Sequence, residues 1–136
     1  MNIRIKKNIY QLIIEHAKQE HPIESCGYLA GKDNEITRFY PMRNVDKSPD
    51  HFSFDPKEQF QSVKEARKEG VVLLSVYHSH PESPARLSEE DIRLLNDPNM
   101  IYIIVSLMDG QTDVKAYRIQ KNELDIHVIR LEMEVV

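Results

Sequence analysis

"VVLLSVYHSHPESPARLSEED", residues 71–91, changes character twice. Up to Tyr77 it is apolar and rich in β-branched residues without polar alternation, as a central strand covered on both faces would be. Pro81 and Pro84 then favour an extended loop. Ser88, followed three residues later by Asp91, reads as the start of a helix running to about Asn96. This stretch thus reads as a buried strand, a loop and a short helix, and the rest of the chain is read around it.

Upstream, "NIRI" reads as a short edge strand. Asn8 with Gln11 looks like a helix start, and Ile9, Leu12, Ile13, His16 and Ala17 make one apolar face ending near Gln19. Residues 27–31 and 35–40 read as a hairpin joined by the turn-forming "GKDN". "DPKE" supplies an N-cap at Asp55, a proline at the first helical position and an acid at the third; Phe60, Val63 and Ala66 follow, and Gly70 suits the helix end. Downstream, "IYIIVSL" is a second buried strand, followed by strand-like runs around "DVKAYRI" and "LDIHVIRL", in which His127 lies on the polar face between Leu124, Ile126 and Val128. The tally predicts an α/β fold, a mixed sheet with three helices packed on it.

Bulk properties narrow the function classes. With 136 residues, 40% of them hydrophobic, the chain fits one domain spanning 1–136, without internal repeats or linkers. Eighteen basic and 22 acidic residues give a net charge of −4, which gives no reason to expect a surface for nucleic acid or an anionic membrane. The apolar runs are far shorter than the ~20 residues that cross a bilayer. One cysteine, Cys26, and a polar opening "MNIRIKKN" predict a cytoplasmic protein.

Residues two apart in a strand share a face, so His78 and His80 project together while Ser79 points away. Ten residues, "PESPARLSEE", separate His80 from Asp91, enough to bring the helix start back over the strand end. Two neutral histidines and a carboxylate are a recurrent zinc set, and hydrolytic sites keep a fourth position for water. A second account needs no metal. Ser88 and Asp91 also make a capping box, worth ~1 kcal/mol. Ser88 can cap and still donate its proton elsewhere, whereas Asp91 cannot fully serve both roles.

"HSHP" at 78–81 with "S-x-x-D" at 88–91 resembles the JAMM (MPN-plus) metalloprotease motif. "PIESCGYLAG" at 22–31 resembles the segment that carries an upstream glutamate in prokaryotic members, and the likeness extends to "SFDP" at 53–56 and the later strands. Leu87 departs from the proline found in many relatives. The resemblance implies a three-layer α/β/α, cytidine-deaminase-like arrangement around a mixed sheet. It also implies that His78, His80 and Asp91 bind one zinc with a water in the fourth position, that Glu24 is the general base, and that Ser88 donates to the oxyanion. The implied substrates are ubiquitin-like modifiers joined through isopeptide bonds, or sulfur-carrier proteins from which a C-terminal amino acid such as cysteine is cut.

Other zinc classes fail on the residues. No H-E-x-x-H helix exists, and a zinc deaminase needs a P-C-x-x-C that one cysteine cannot supply. A small-molecule amidase with the same ligands and a non-catalytic protein-binding scaffold stay open. Cys26 reads as a small buried thiol. His16, His21, His51 and His127 read as structural or solvated. Phe52 and Phe54, beside Asn44, either line a groove for a peptide tail or, for Phe54, staple the following helix.

Overall fold

The computed structural model describes residues 2–136. Seven strands, β1 (Asn2–Ile5), β2 (Cys26–Lys32), β3 (Glu35–Met42), β4 (Val72–His80), β5 (Ile101–Ser106), β6 (Asp113–Lys121) and β7 (Ile126–Val135), are joined by α1 (Lys7–Glu20), α2 (Pro56–Glu69) and α3 (Glu89–Leu94). The strands follow the spatial order β1-β3-β2-β4-β5-β6-β7 and close into a ring. β1 runs parallel to both β3 and β7. "NIRI" is therefore not an edge strand: two neighbours take its backbone groups, and Ile3 and Ile5 are buried. β4 and β5 are parallel, connected through α3, and the remaining neighbours are antiparallel. The result is the expected mixed sheet with three helices.

Alternation along the strands builds two cores. Every strand contributes to the inner one, with Ile3, Leu29, Ile36, Tyr77, Ile103, Ala116 and Leu131 enclosing Ile9, Ile13 and Ala17 of α1. The outer one takes the opposite faces, including Tyr28, Val76, Tyr102 and Ile104, and receives Val63 of α2 and Ile92 of α3. β4 feeds both, as its unbroken apolar run requires.

Local chemistry sets most element ends. Asp33 and Asn34 both adopt positive φ in the β2–β3 turn, the conformation that matches the twist of a two-residue hairpin. The Asp55 side chain caps α2 by accepting from the Lys57 N–H, Pro56 occupies its first turn, and Gly70 ends it at φ 71°. Helix α1 begins at Lys7 without a side-chain cap, so Asn8 is not its N-cap; Leu12 and Phe60 face solvent, 44% and 66% exposed. On β7 the expected apolar face is not buried: residues 126–130 are all exposed, His127 among them as expected. Leu131 packs inward while Ile126 and Val128 are exposed, because pairing with β1 through Met133 and Val135 fixes the register from the other end of the strand. Among the described residues no helix is long and apolar enough to cross a membrane.

Gly31 sits where the pairing of β2 shifts against β3, and a Cβ there would lie 1.8 Å from the Glu35 carbonyl oxygen. Gly70 has open space around it. Urea unfolding should show Gly31→Ala losing roughly 3 kcal/mol or more by backbone displacement, and Gly70→Ala only about 1 kcal/mol from its positive φ.

Candidate metal and catalytic site

The register of β2 on β4 sets the site. Cys26 lies opposite His78, and Gly27 opposite Tyr77. Continuing that antiparallel register places Ser25 across from Ser79 and Glu24 across from His80, which the Ser79 N–H to Ser25 carbonyl bond of 3.0 Å bears out. Glu24, His78 and His80 therefore share the outer face. Helix α3 brings Asp91 over the same face from the other side of the loop.

Three atoms converge. His78 Nε2 and His80 Nε2 are 3.1 Å apart, and Asp91 Oδ2 lies 3.2 Å from the first and 3.0 Å from the second. All three residues are buried. His80 Nδ1 donates to the Pro84 carbonyl at 2.8 Å, which fixes its proton there and leaves the Nε2 lone pair facing the cluster. Burial holds the His78 pKa below its ordinary value and so keeps the ring neutral. For Asp91, burial pulls upward but is outweighed by the two histidine rings beside it and by the Ser88 N–H, so its carboxyl is held below the usual range. Lone pairs from a neutral imidazole and a carboxylate do not crowd together unless a proton or a cation lies between them. This donor set can hold a metal ion.

Asp91 also completes the cap. Ser88 Oγ accepts from the Asp91 N–H and Asp91 Oδ2 from the Ser88 N–H, each at 3.0 Å. The oxygen that accepts the cap bond, Oδ2, is also the one that faces the two histidines. Serving the cap orients the ligand. The Ser88 side chain is exposed and stays free to donate.

Glu24 is 2% exposed, and its Oε1 is buried without a hydrogen-bond partner. Burial, with a further contribution from the charge of Asp91, pushes its pKa up to about 9. Cys26 is also buried, and burial lifts its thiol to about 12, so it is an inert packing group as expected.

Two supports were not assigned from sequence. Phe52 stacks on the His78 ring with centroids 4.8 Å apart. With Phe54, Tyr102, Leu94 and Leu95 it lines a cavity of about 400 Å³ that reaches Asp91, and both phenylalanines pack against the outer core. Asn44 is buried; its Nδ2 donates to the carbonyls of Glu24 and His51 at 3.0 and 2.9 Å, and its Oδ1 accepts from Asp46 and Ser53 N–H groups. It ties the loop carrying Phe52 to the backbone of Glu24. A lone asparagine after a strand carries no sequence signal for this, because its partners are backbone groups. His51 and His21 sit outside the cluster, each paired with an acid, Asp46 and Glu82.

A family profile for prokaryotic homologs of the JAB domain matches residues 6–120. This chain belongs to that family. It is similar to a CysO-cysteine peptidase of Mycobacterium tuberculosis, 31% identical over 118 residues that cover 85% of this chain and 81% of the relative. It is also similar to a desampylase of Pyrococcus furiosus, 32% identical over 62% of this chain and 60% of the relative. A protein of Desulfitobacterium hafniense solved in solution superposes with a TM-score of 0.87 at 39% identity, covering 100% of this chain and 93% of that one. The JAB match includes every residue of the cluster and stops within β6, leaving β7, which closes the ring, outside it.

Because Glu24 is held protonated in the fold but ionises near 4.5 when exposed, the unfolded state binds fewer protons between those values and stability falls as pH rises from about 5 to 9. In chelator-containing buffer, thermal melts of the wild type should show this decline. Glu24→Gln should flatten it, gaining roughly 1–3 kcal/mol over wild type at pH 8 and little at pH 5.

Proposed function

We propose that the protein is a zinc-dependent peptidase or isopeptidase that hydrolyses an amide bond at the C-terminus of a ubiquitin-like or sulfur-carrier protein. The observation that carries the reading is the meeting of His78 Nε2, His80 Nε2 and Asp91 Oδ2 within 3.2 Å, next to a buried, unpartnered Glu24 oxygen. A tetrahedral zinc with bonds of about 2.0–2.1 Å spaces its ligand atoms roughly 3.3 Å apart, close to these separations. We take His78, His80 and Asp91 as the ligands. When bound, zinc lowers the pKa of water to about 7 and polarises the scissile carbonyl.

The chain supplies the remaining chemistry. Glu24 accepts a proton from the attacking water and passes it to the leaving amine. In the protein's own field this acid holds its proton; a nearby divalent cation favours the carboxylate, the form that can act as base. Ser88 donates to the carbonyl oxygen as negative charge develops there. The cavity beside Asp91, lined by Phe52, Phe54, Leu94 and Leu95, offers a wall for an extended tail.

The substrate class rests on the family together with the activities for which the similar CysO-cysteine peptidase and desampylase are named. Cores that draw on strands from both ends suit one catalytic domain of 136 residues. Helices packed on both faces of the sheet suit the three-layer, cytidine-deaminase-like description. A lone buried thiol suits the reducing cytoplasm.

His78→Ala should lose both bound zinc and the release of cysteine from CysO carrying a C-terminal cysteine. Glu24→Gln should keep about one zinc per chain and lose turnover; metal content by mass spectrometry and cysteine release decide, and full turnover in Glu24→Gln rejects the base assignment. Ser88→Ala should retain zinc and lower kcat by about a hundredfold to a thousandfold.

A further inference from the structure

The face of β4 turned away from the histidines carries a buried polar chain that the cleavage chemistry does not use. Tyr77 and Ser79 alternate with His78 and His80, and both are fully buried. The Ser25 N–H donates to Ser79 Oγ at 2.8 Å, and Ser25 Oγ donates to the same oxygen at 2.9 Å. The Ser79 N–H returns a bond to the Ser25 carbonyl at 3.0 Å. The Tyr77 hydroxyl meets Ser25 Oγ, donates to the Ile13 carbonyl at 3.3 Å and lies 3.0 Å from Nδ1 of His16, which the sequence reading left without a partner.

The placement of these bonds matters more than their number. β2 begins at Cys26, and the last ladder pair towards the site is Cys26 with His78. Glu24 lies before that pair, so no regular strand pairing holds it to β4. The reciprocal Ser25–Ser79 bonds extend the pairing by one residue, to the position between Glu24 on one strand and the two histidines on the other. A buried hydroxyl costs free energy unless it is bonded, and an apolar side chain would suit the inner core at position 79. We propose that Ser79, with Ser25 as its partner, is a positioning residue that fixes the Glu24 carboxylate relative to His78 and His80. The proposal rests on reading Glu24 as the proton acceptor.

Five measurements on the zinc-loaded enzyme test it, using CysO with a C-terminal cysteine as substrate. Ser79→Ala should lower kcat by roughly tenfold to a hundredfold, as sub-ångström to ångström misplacement of a reacting group does, with KM within about twofold. Zinc content should stay at wild type, while hydrogen exchange at the Ser25 amide accelerates. Ser79→Thr, which keeps the hydroxyl, should restore kcat. In a Glu24→Gln background, Ser79→Ala should cost nothing further in the residual rate, because groups acting as a unit are non-additive. Wild-type kcat in Ser79→Ala, an equal loss in both backgrounds, or a loss that tracks departing zinc overturns the proposal. If Ser79→Ala melts too low to assay, Ser25→Ala removes the other hydroxyl and is held to the same outcomes. A Glu24→Gln enzyme with full turnover overturns the base reading and this inference with it; an inactive Glu24→Gln beside a fully active Ser79→Ala overturns this inference alone.

Discussion

The antiparallel pairing of β2 with β4 is the constraint on which the site depends. Its register decides which residues face outward, and because side chains alternate, a slip of one residue would turn His78 and His80 into the inner core and Ser79 towards Asp91. Nothing in the hydrophobic pattern of β4 alone forbids that slip, since both of its faces are apolar. Register is instead specified by its neighbours. Gly27 packs where a Cβ would come within 2.6 Å of the Tyr40 carbonyl oxygen, Gly31 marks a bulge, and the hairpin turn at Asp33 and Asn34 sets the phase of β3. The geometry of the donor set is thus inherited from turn and glycine chemistry far from any ligand atom.

The site stores unfavourable interactions that the surrounding fold sustains. A buried acid at Glu24 without a partner, a His78 Nδ1 without one, and three mutually close acceptor atoms are each costly in a low-dielectric interior. They are carried by a sheet whose ring places Ile, Leu, Val and Tyr side chains on both faces, and by the Asn44 and Ser25–Ser79 bonds that hold the Glu24 backbone from two sides. Two of the three buried polar atoms that lack a partner among the described residues, on Glu24 and His78, lie in this corner, where a cation would relieve several of these interactions at once.

Much of this was legible beforehand, for identifiable reasons. The H-x-H spacing and strand alternation predict the shared face of His78 and His80, and the cap at Ser88 predicts where α3 begins and hence where Asp91 sits. Asp55, Pro56 and Gly70 mark α2 by local backbone chemistry alone. What sequence could not supply came from pairing between distant segments. β1 looked like an edge because its two partners lie more than thirty positions away, and the apolar face of β7 was misassigned because Ile126 and Val128 form a tidy alternation that pairing with β1 overrides. The bonds of Asn44 and Ser79 were invisible in the same way, since they run to main-chain groups and, for Ser79, to a serine 54 positions away, which leave no pattern in residue types.

The closure of the ring by β1 and β7 also bears on how the chain reaches this state. Asn2 pairs with Glu132 and Ile5 with Val135, while β2–β3, β5–β6 and β6–β7 are joined by short connections. Loop-closure entropy therefore weighs most on the final stave, and local hairpins can form long before it. Until the first and last strands meet, the inner face around α1 is open to water and two strand edges are unpaired, which makes the nearly assembled chain, rather than the unfolded one, the species most prone to associate with its own kind.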